Sequence, residues 1–418
     1  MQVLYVHQNF PAQFGHIAAH LTRRLGWKFW FVSETPAGEV GGIEKIQYKR
    51  TGGATLQTHF CSRTFENAVF SCDGVYAALK ARPDVKPDLI VGHSGFGSTL
   101  FLRDLYPGIP IINLFEYFYR PRDPQSDMGY RKDLGWNLPE AYFHRARCRN
   151  AMILLDLDNC TMGYCPTEFQ RSTFPSILQP RLRVLFDGIE RSCYHGYEET
   201  LRRPIDQRGT RTIAGVEVPA STRVVTYVSR GFESMRGFDL FMRSAKIIAK
   251  EFPDVLFFVV GADRIAYGGD ETFLPKDVSF KQWVLSQDQY DLSRFRFLGN
   301  IMPDALGRLL ASTDLHIYLT VPFVLSWSMM NAMSCGAVVL GSDTGPVQEM
   351  IRNGENGLLA NLLDVDEIAA KAVKVLRDPA ESRPLGRAAE EMIARRYSVE
   401  AVLPKMVAMY EEAACRGR

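Results

Sequence analysis

The sequence predicts an α/β protein made of two doubly wound domains, each around a mostly parallel sheet. Three observations carry that reading. A chain of 418 residues suits two or three domains, each burying its own core. The opening QVLYVHQNF, HIAAHLTRRLG, KFWFVS reads as strand, helix, strand. The stretch from Leu319 to Asn361 repeats the rhythm. There an apolar strand ends near Leu319, and an irregular segment carries Pro322 and Ser326. A helix stops at Gly336, and the strand AVVLGS runs into Asp343, Thr344, Gly345 and Pro346. A last helix reaches about Arg352 and ends at an Asn-Gly pair. Loops at the carboxyl ends of such strands receive ligands, and helix N-termini there suit phosphate.

Composition fits a globular protein, with 46% hydrophobic and 23% charged residues. A net charge of +2 argues against a nucleic-acid partner. The chain enters its first strand directly after Met-Gln, so no signal peptide is expected. No uninterrupted run of about 18 apolar residues exists, so no membrane span is expected. The eight cysteines are scattered without a Cys-x-x-Cys pair, which reads as reduced thiols in a cytoplasmic protein.

In the first domain, the segment around Gln13, Phe14 and Gly15 leads into a helix that Gly26 stops. Residues 41–64 read as irregular and polar, and FENAVFSCDGVYAALKA as a helix. KPDLIVGH is a strand ending on His93, and IPIINLFEYFY a strand with Glu116 near its end. A histidine and a carboxylate at the ends of neighbouring parallel strands face one cleft. The alternative is that Glu116 pairs with Arg120 or Arg122, because a bare buried carboxylate is costly. Residues 120–150 are the least regular and read as a lid. Within them, EAYFHRARCRNAMILL reads as a surface helix running into a buried one. Its arginines among apolar residues leave contact with an anionic membrane surface open. LRVLFDGIE is the last strand, which closes a domain over residues 1–190, and 191–222 is a linker.

The second domain, 223–395, opens with RVVTYVSRGFESMRGFDLFMRSAKIIAKEF. A strand ends at Ser229, a loop holds Arg230 and Arg236, and Gly237 enters a helix. Six residues apart across such a loop, both guanidinium groups can converge on one diphosphate, which their fixed forks suit. DVLFFVVGADR is the next strand, and the polar insert after it covers that strand's end. RFRFLGNIMPDALGRLLASTDLHIYLT gives strand, helix and strand. The final helix runs from about Val399 to Ala414, inside a terminal segment 396–418.

The segments AMSCG and VVLGSD, the loop ending in Glu349 and NGENGLL resemble the donor-nucleotide signature of family 4 glycosyltransferases. Ser229–Gly237 is similar to the family's arginine–lysine loop, with Arg236 at the lysine's place. The resemblance implies the GT-B fold: two Rossmann-like doubly wound domains facing a central cleft, the last helix packing back on the first domain. It implies a retaining, metal-independent glycosyltransferase that moves a sugar from a UDP- or GDP-linked donor to a hydroxyl acceptor. The acceptor would be a sugar, a lipid-linked sugar or a small molecule, in glycoconjugate or polysaccharide synthesis. No cofactor is implied beyond the nucleotide-sugar co-substrate, and no metal site. The location implied is cytoplasmic, with peripheral contact at the inner face of a membrane left open.

The site residues follow from the same resemblance. Catalytic positions are Glu116 and His93 on the acceptor side, and Arg230 and Arg236 at the leaving diphosphate. Donor-binding positions are Gly15, Arg264 near the base, the backbone of Ser326 and Trp327, Asn331 at the ribose, and Thr344, Gly345 and Glu349. Gly15 also reads as an ordinary turn glycine. The family carries two glutamates eight positions apart, and here Phe323 and Asn331 hold those places. Asparagine can still accept from a hydroxyl and also donate. Each bond then drops from the charged class of about 1.5–3 kcal/mol toward about 1 kcal/mol. Two alternatives stay open: a non-catalytic nucleotide-sugar-binding protein, and an epimerase on the same scaffold.

Overall fold

Short apolar runs bounded by glycine, proline and polar turns become the strands of two parallel sheets in the computed structural model, which describes residues 1–97, 99–196 and 207–416. The chain divides into two units. Unit 1 comprises Met1–Met128, Leu138–Gly188 and Val399–Arg418, and unit 2 comprises Gly129–Asn137 and Ile189–Ser398.

Unit 1 is built on strands β1 (Gln2–Val6), β2 (Lys28–Ser33), β3 (Ile43–Gln47), β4 (Leu89–His93), β5 (Ile111–Leu114), β6 (Met162–Cys165) and β7 (Leu182–Val184). Their order is β3-β2-β1-β4-β5-β6-β7, and the pairings are parallel. Successive side chains of a strand point to opposite faces, so the two-sided sheet feeds two cores. Val3, Tyr5, Phe29 and Phe31 enter one cluster, while Leu4, Val6, Trp30 and Val32 enter the other. The C-terminal helix Val399–Arg416 adds Val402, Leu403, Met406 and Tyr410 to the first of these. The hydroxyls of Tyr5 and Tyr410 lie 3.3 Å apart inside it.

The first named strands of unit 2 form a hairpin, β8 (Arg211–Ile213) and β9 (Val216–Val218), within the segment expected as a linker. Its two turn residues, Ala214 and Gly215, both have positive φ, which matches the twist a two-residue hairpin needs. Then follow β10 (Val224–Gly231), β11 (Leu256–Ala262), β12 (Phe295–Gly299), β13 (Leu315–Tyr318), β14 (Val339–Ser342) and β15 (Leu358–Ala360). Their order is β12-β11-β10-β13-β14-β15 with parallel pairings. In both sheets the order reverses beside the first strand, between β1 and β4 and between β10 and β13. That reversal is the Rossmann-type switch point, where such sheets bind ligands.

Several expectations need correcting. Residues 41–64 were expected as irregular, but β3 lies among them as an edge strand. Part of the expected linker, residues 197–206, lies outside the described residues. The expected lid divides: residues 120–128 belong to unit 1, Gly129–Asn137 to unit 2, and Glu140–Asn159 is one long helix. In unit 2, Arg131 is buried against Asp239 and the Ser234 carbonyl, and Trp136 stacks on Phe273 at 4.9 Å. The polar insert after β11 thus has an aromatic side. Glu116 lies two residues beyond the end of β5, not within a strand.

Candidate active site

The carboxyl ends of β10 and β13 meet at the switch point of the second sheet. Arg230 is the exposed penultimate residue of β10. A single 3-10 turn, Ser234–Arg236, then brings the chain to Gly237 and the helix Phe238–Glu251. Gly237 has φ +61°, and a Cβ there would lie 2.7 Å from the Leu319 Cβ. Only glycine lets this turn press against the end of β13. Arg236 is consequently buried, with 5% exposure. Its Nη1 donates to the Tyr318 hydroxyl at 3.2 Å and the Thr320 hydroxyl at 2.8 Å, and its Nη2 to the Val324 carbonyl at 3.1 Å. The rings of Tyr267 and Phe323 flank the guanidinium at 5.3 and 5.8 Å. Burial works against the charge, but Tyr318, Tyr267 and Glu233 outweigh it and raise the Arg236 pKa. Among the described residues neither Arg230 nor Arg236 is paired with a carboxylate. Two arginines that form no ion pair among the described residues, placed at a switch point, make an anion site.

Asn331 lies in the helix Trp327–Ser334 and is 5% exposed. Its carboxamide has no hydrogen-bond partner among the described residues. Its amide atoms are not among the buried unbonded ones, so they reach solvent and can both donate to and accept from a ligand hydroxyl. Arg264, just beyond β11, is exposed and its guanidinium is likewise unpartnered among the described residues.

In unit 1, His93 closes β4 beside the switch point and is fully buried. Its Nε2 lies 3.5 Å from Glu116 Oε2, and its Nδ1 lies 3.1 Å from the Ser94 carbonyl oxygen. Gln13 donates through Nε2 to Glu116 Oε1 at 3.0 Å and sits 3.3 Å from His93 Nε2. His7 meets His93 edge-on at 5.2 Å. Burial disfavours both charges, yet the pairing wins. The Glu116 carboxylate raises the His93 pKa above its ordinary 6.5, and His93 with Gln13 lowers that of Glu116 below 4.5. With Nδ1–H given to Ser94, neutral His93 accepts from Gln13, and protonated His93 points a second N–H at Glu116. The alternative pairing of Glu116 with Arg120 does not form, because Arg120 is held by Asp123 at 2.8 Å. Arg122 instead pairs with Glu140.

A family model described as glycosyl transferase family 4 group matches residues 25–193, and one described as glycosyl transferases group 1 matches residues 211–392. The chain belongs to the family 4 glycosyltransferases. Among curated relatives, N-acetyl-alpha-D-glucosaminyl L-malate synthase of Bacillus anthracis is 30% identical over 118 residues, 28% of this chain and 29% of that protein. Phosphatidyl-myo-inositol mannosyltransferase of Mycolicibacterium smegmatis is 25% identical over 199 residues, 46% of each chain. The chain thus spans less than half the length of these two relatives. Solved structures share the GT-B fold over nearly the whole chain. Sucrose-phosphate synthase from Thermosynechococcus elongatus superposes with a TM-score of 0.70 at 16% identity, covering 98% of both chains. Anabaena HepE in complex with UDP-glucose gives 0.65 at 15% identity, covering 99% of this chain and 100% of that one.

Other donor positions of this family 4 glycosyltransferase differ from expectation. The Ser326 N–H donates to the Tyr318 hydroxyl at 3.0 Å, and its Oγ caps the Ser328 N–H, so Ser326 does not offer its amide to a diphosphate. Trp327 opens the helix that carries Asn331. Gly15 gives its N–H to the Pro11 carbonyl at 3.0 Å, and a Cβ on it would meet the Pro11 Cβ at 2.4 Å. Close packing on Pro11 explains that glycine. Thr344 is buried and donates to the Thr320 carbonyl at 3.1 Å, tying β14 to β13. Gly345 starts a helix of four residues, Gly345–Gln348, too short to carry an appreciable dipole. Glu349 is half-buried and raises the pKa of Tyr397 after burial has done so.

Two residues escaped the sequence reading. Glu233 is fully buried, and its Oε2 accepts from the N–H groups of Ala266, Tyr267 and Gly268 at 3.0, 2.8 and 2.9 Å. Tyr267 lies 5.9 Å from Arg230 and stacks obliquely on Phe323 at 5.7 Å. Phe323, at the place of a family glutamate, therefore packs on a cation and an aromatic ring. Nothing in the local pattern of either residue distinguishes it from an ordinary loop position.

Proposed function

We propose that this protein is a retaining glycosyltransferase that moves a hexosyl group from a nucleotide sugar to a hydroxyl acceptor. The observation that carries the reading is Arg230 and Arg236 at a switch point, neither in an ion pair among the described residues. In the reaction, the bond from the anomeric carbon to the diphosphate oxygen breaks and a bond to the acceptor oxygen forms on the same face. The acceptor proton passes to an oxygen of the departing diphosphate. Arg236 and Arg230 stabilise the charge that grows on that diphosphate, which makes a metal unnecessary in this reading. Asn331 holds the ribose hydroxyls. Glu116 orients the acceptor, and His93 with Gln13 keeps Glu116 ionised.

UDP and GDP donors both suit this arrangement, and HepE, solved with UDP-glucose, makes UDP the first probe. The acceptor is a sugar, a lipid-linked sugar or a small molecule. No helix among the described residues is long and apolar enough to cross a membrane. The helix Glu140–Asn159 exposes Arg147, Arg149, Leu154 and Leu155, which supports a peripheral contact with anionic lipid. Nucleotide release from UDP- and GDP-sugars, with and without candidate acceptors, tests the proposal. Acceptor-dependent release supports it. Tight nucleotide binding without any turnover favours the non-catalytic reading, for which Phe323 on Arg236 is the specific observation.

A further inference from the structure

The β10–helix loop and the loop after β11 hold each other by a reciprocal exchange of carboxylates. Glu233 reaches from the first loop to three consecutive N–H groups, those of Ala266, Tyr267 and Gly268. Asp270 reaches back, accepting from the Ser234 N–H at 2.7 Å and the Ser234 hydroxyl at 2.6 Å. The backbones touch as well, since a Cβ on Gly231 would lie 2.3 Å from the Arg264 carbonyl oxygen. Burying a carboxylate is expensive, and Glu233 is buried with its second oxygen, Oε1, unbonded. A hydrophobic side chain would close these loops at lower cost. What the carboxylate secures is the orientation of the three amides, and with them the Tyr267 ring between them.

That ring has a specific place. It faces Arg236 at 5.3 Å and Arg230 at 5.9 Å, and its hydroxyl lies 3.5 Å from Arg230 Nη1. Two guanidinium groups gathered for an anion repel one another before it arrives. An aromatic ring within reach of both offsets that repulsion and sets their directions. We propose that Glu233 and Tyr267 are a positioning pair, Glu233 acting through Tyr267 to hold Arg230 alongside Arg236 as a preformed site for the diphosphate of a nucleotide. The inference rests on the reading of the two arginines as the diphosphate site.

The test is isothermal titration of the full chain with nucleoside mono- and diphosphates of uridine and guanosine, taking the base that binds more tightly. Wild type should prefer the diphosphate. Tyr267→Leu and Glu233→Ala should each lose about tenfold in diphosphate affinity, with monophosphate affinity unchanged, while Tyr267→Phe, which keeps the ring, stays near wild type. Because one residue acts through the other, the double variant should be no weaker than either single variant. Tyr267 is half-buried on a loop, so its variants keep the test available if Glu233→Ala does not fold. Equal losses for mono- and diphosphate, additive losses, or a Tyr267→Leu protein with full diphosphate affinity would overturn the pairing alone. A wild-type protein indifferent to the second phosphate would overturn the arginine reading beneath it.

Discussion

Arg236 and Arg230 are separated by six residues and differ in environment, and the difference sorts their roles. Arg236 uses its fork on two hydroxyls and a carbonyl at once, a geometry that lysine cannot reproduce. Arg236→Lys should therefore weaken nucleoside diphosphate binding about tenfold with the fold intact, as read by titration and circular dichroism. Asn331→Glu should tighten nucleotide binding about tenfold, because a carboxylate accepts ribose hydroxyls more strongly. The His93–Glu116 pair gives unit 1 a pH window. His93 has a raised pKa, so its contribution is complete below 6.5 and is lost as pH rises through the raised value. Glu116 has a depressed pKa, so its contribution is complete above 4.5 and is lost as pH falls through the lowered value. Denaturant melts should show greatest stability between these limits. Glu116→Gln should flatten the alkaline limb. The arginines were legible from their spacing after a strand, and His93 and Glu116 from their places at strand ends. Glu233 and Tyr267 were not, because their meaning arises from contacts between residues far apart in the chain, such as Glu233 with Ala266 and Tyr267 with Arg236.

Elements make the same distinction. Long apolar strands such as β10 and β11, and the β13–helix–β14 run, were readable because burial on both faces leaves continuous apolar runs. β3 was not, since IEKIQ is an edge strand with Glu44 on one face and Lys45 on the other, which breaks any apolar run. β6 has four residues including a glycine, and the β8–β9 hairpin has three-residue strands, too short for a period to register. The helix Phe238–Glu251 shows how one backbone position controls an element and a site together. Gly237→Ala would force a side chain into positive φ and against Leu319. A loss of about 1–3 kcal/mol in stability, seen in denaturant melts, should accompany weaker diphosphate binding.

At the scale of the molecule, each sheet has its own core, and the chain's last helix belongs to the first of them. Met406→Ala, which empties part of the cluster under β1, should destabilise by about 2–5 kcal/mol and leave nucleotide affinity unchanged, because the nucleotide residues all lie in unit 2. The Rossmann strand order could be anticipated from the alternation of strand and helix, and the family from the signature after β13. The chemistry of Phe323 could not, since an aromatic in place of a carboxylate looks like a loss until its contact with Arg236 is known. The measurement that tests the central claim most directly is the thermal stability of wild type and Arg236→Met with saturating UDP and GDP. At about a hundred times its dissociation constant, a bound nucleotide should add about 2.7 kcal/mol to wild type, and the gain should largely vanish in the variant. An unchanged wild type, or an equal gain in both proteins, would contradict the account.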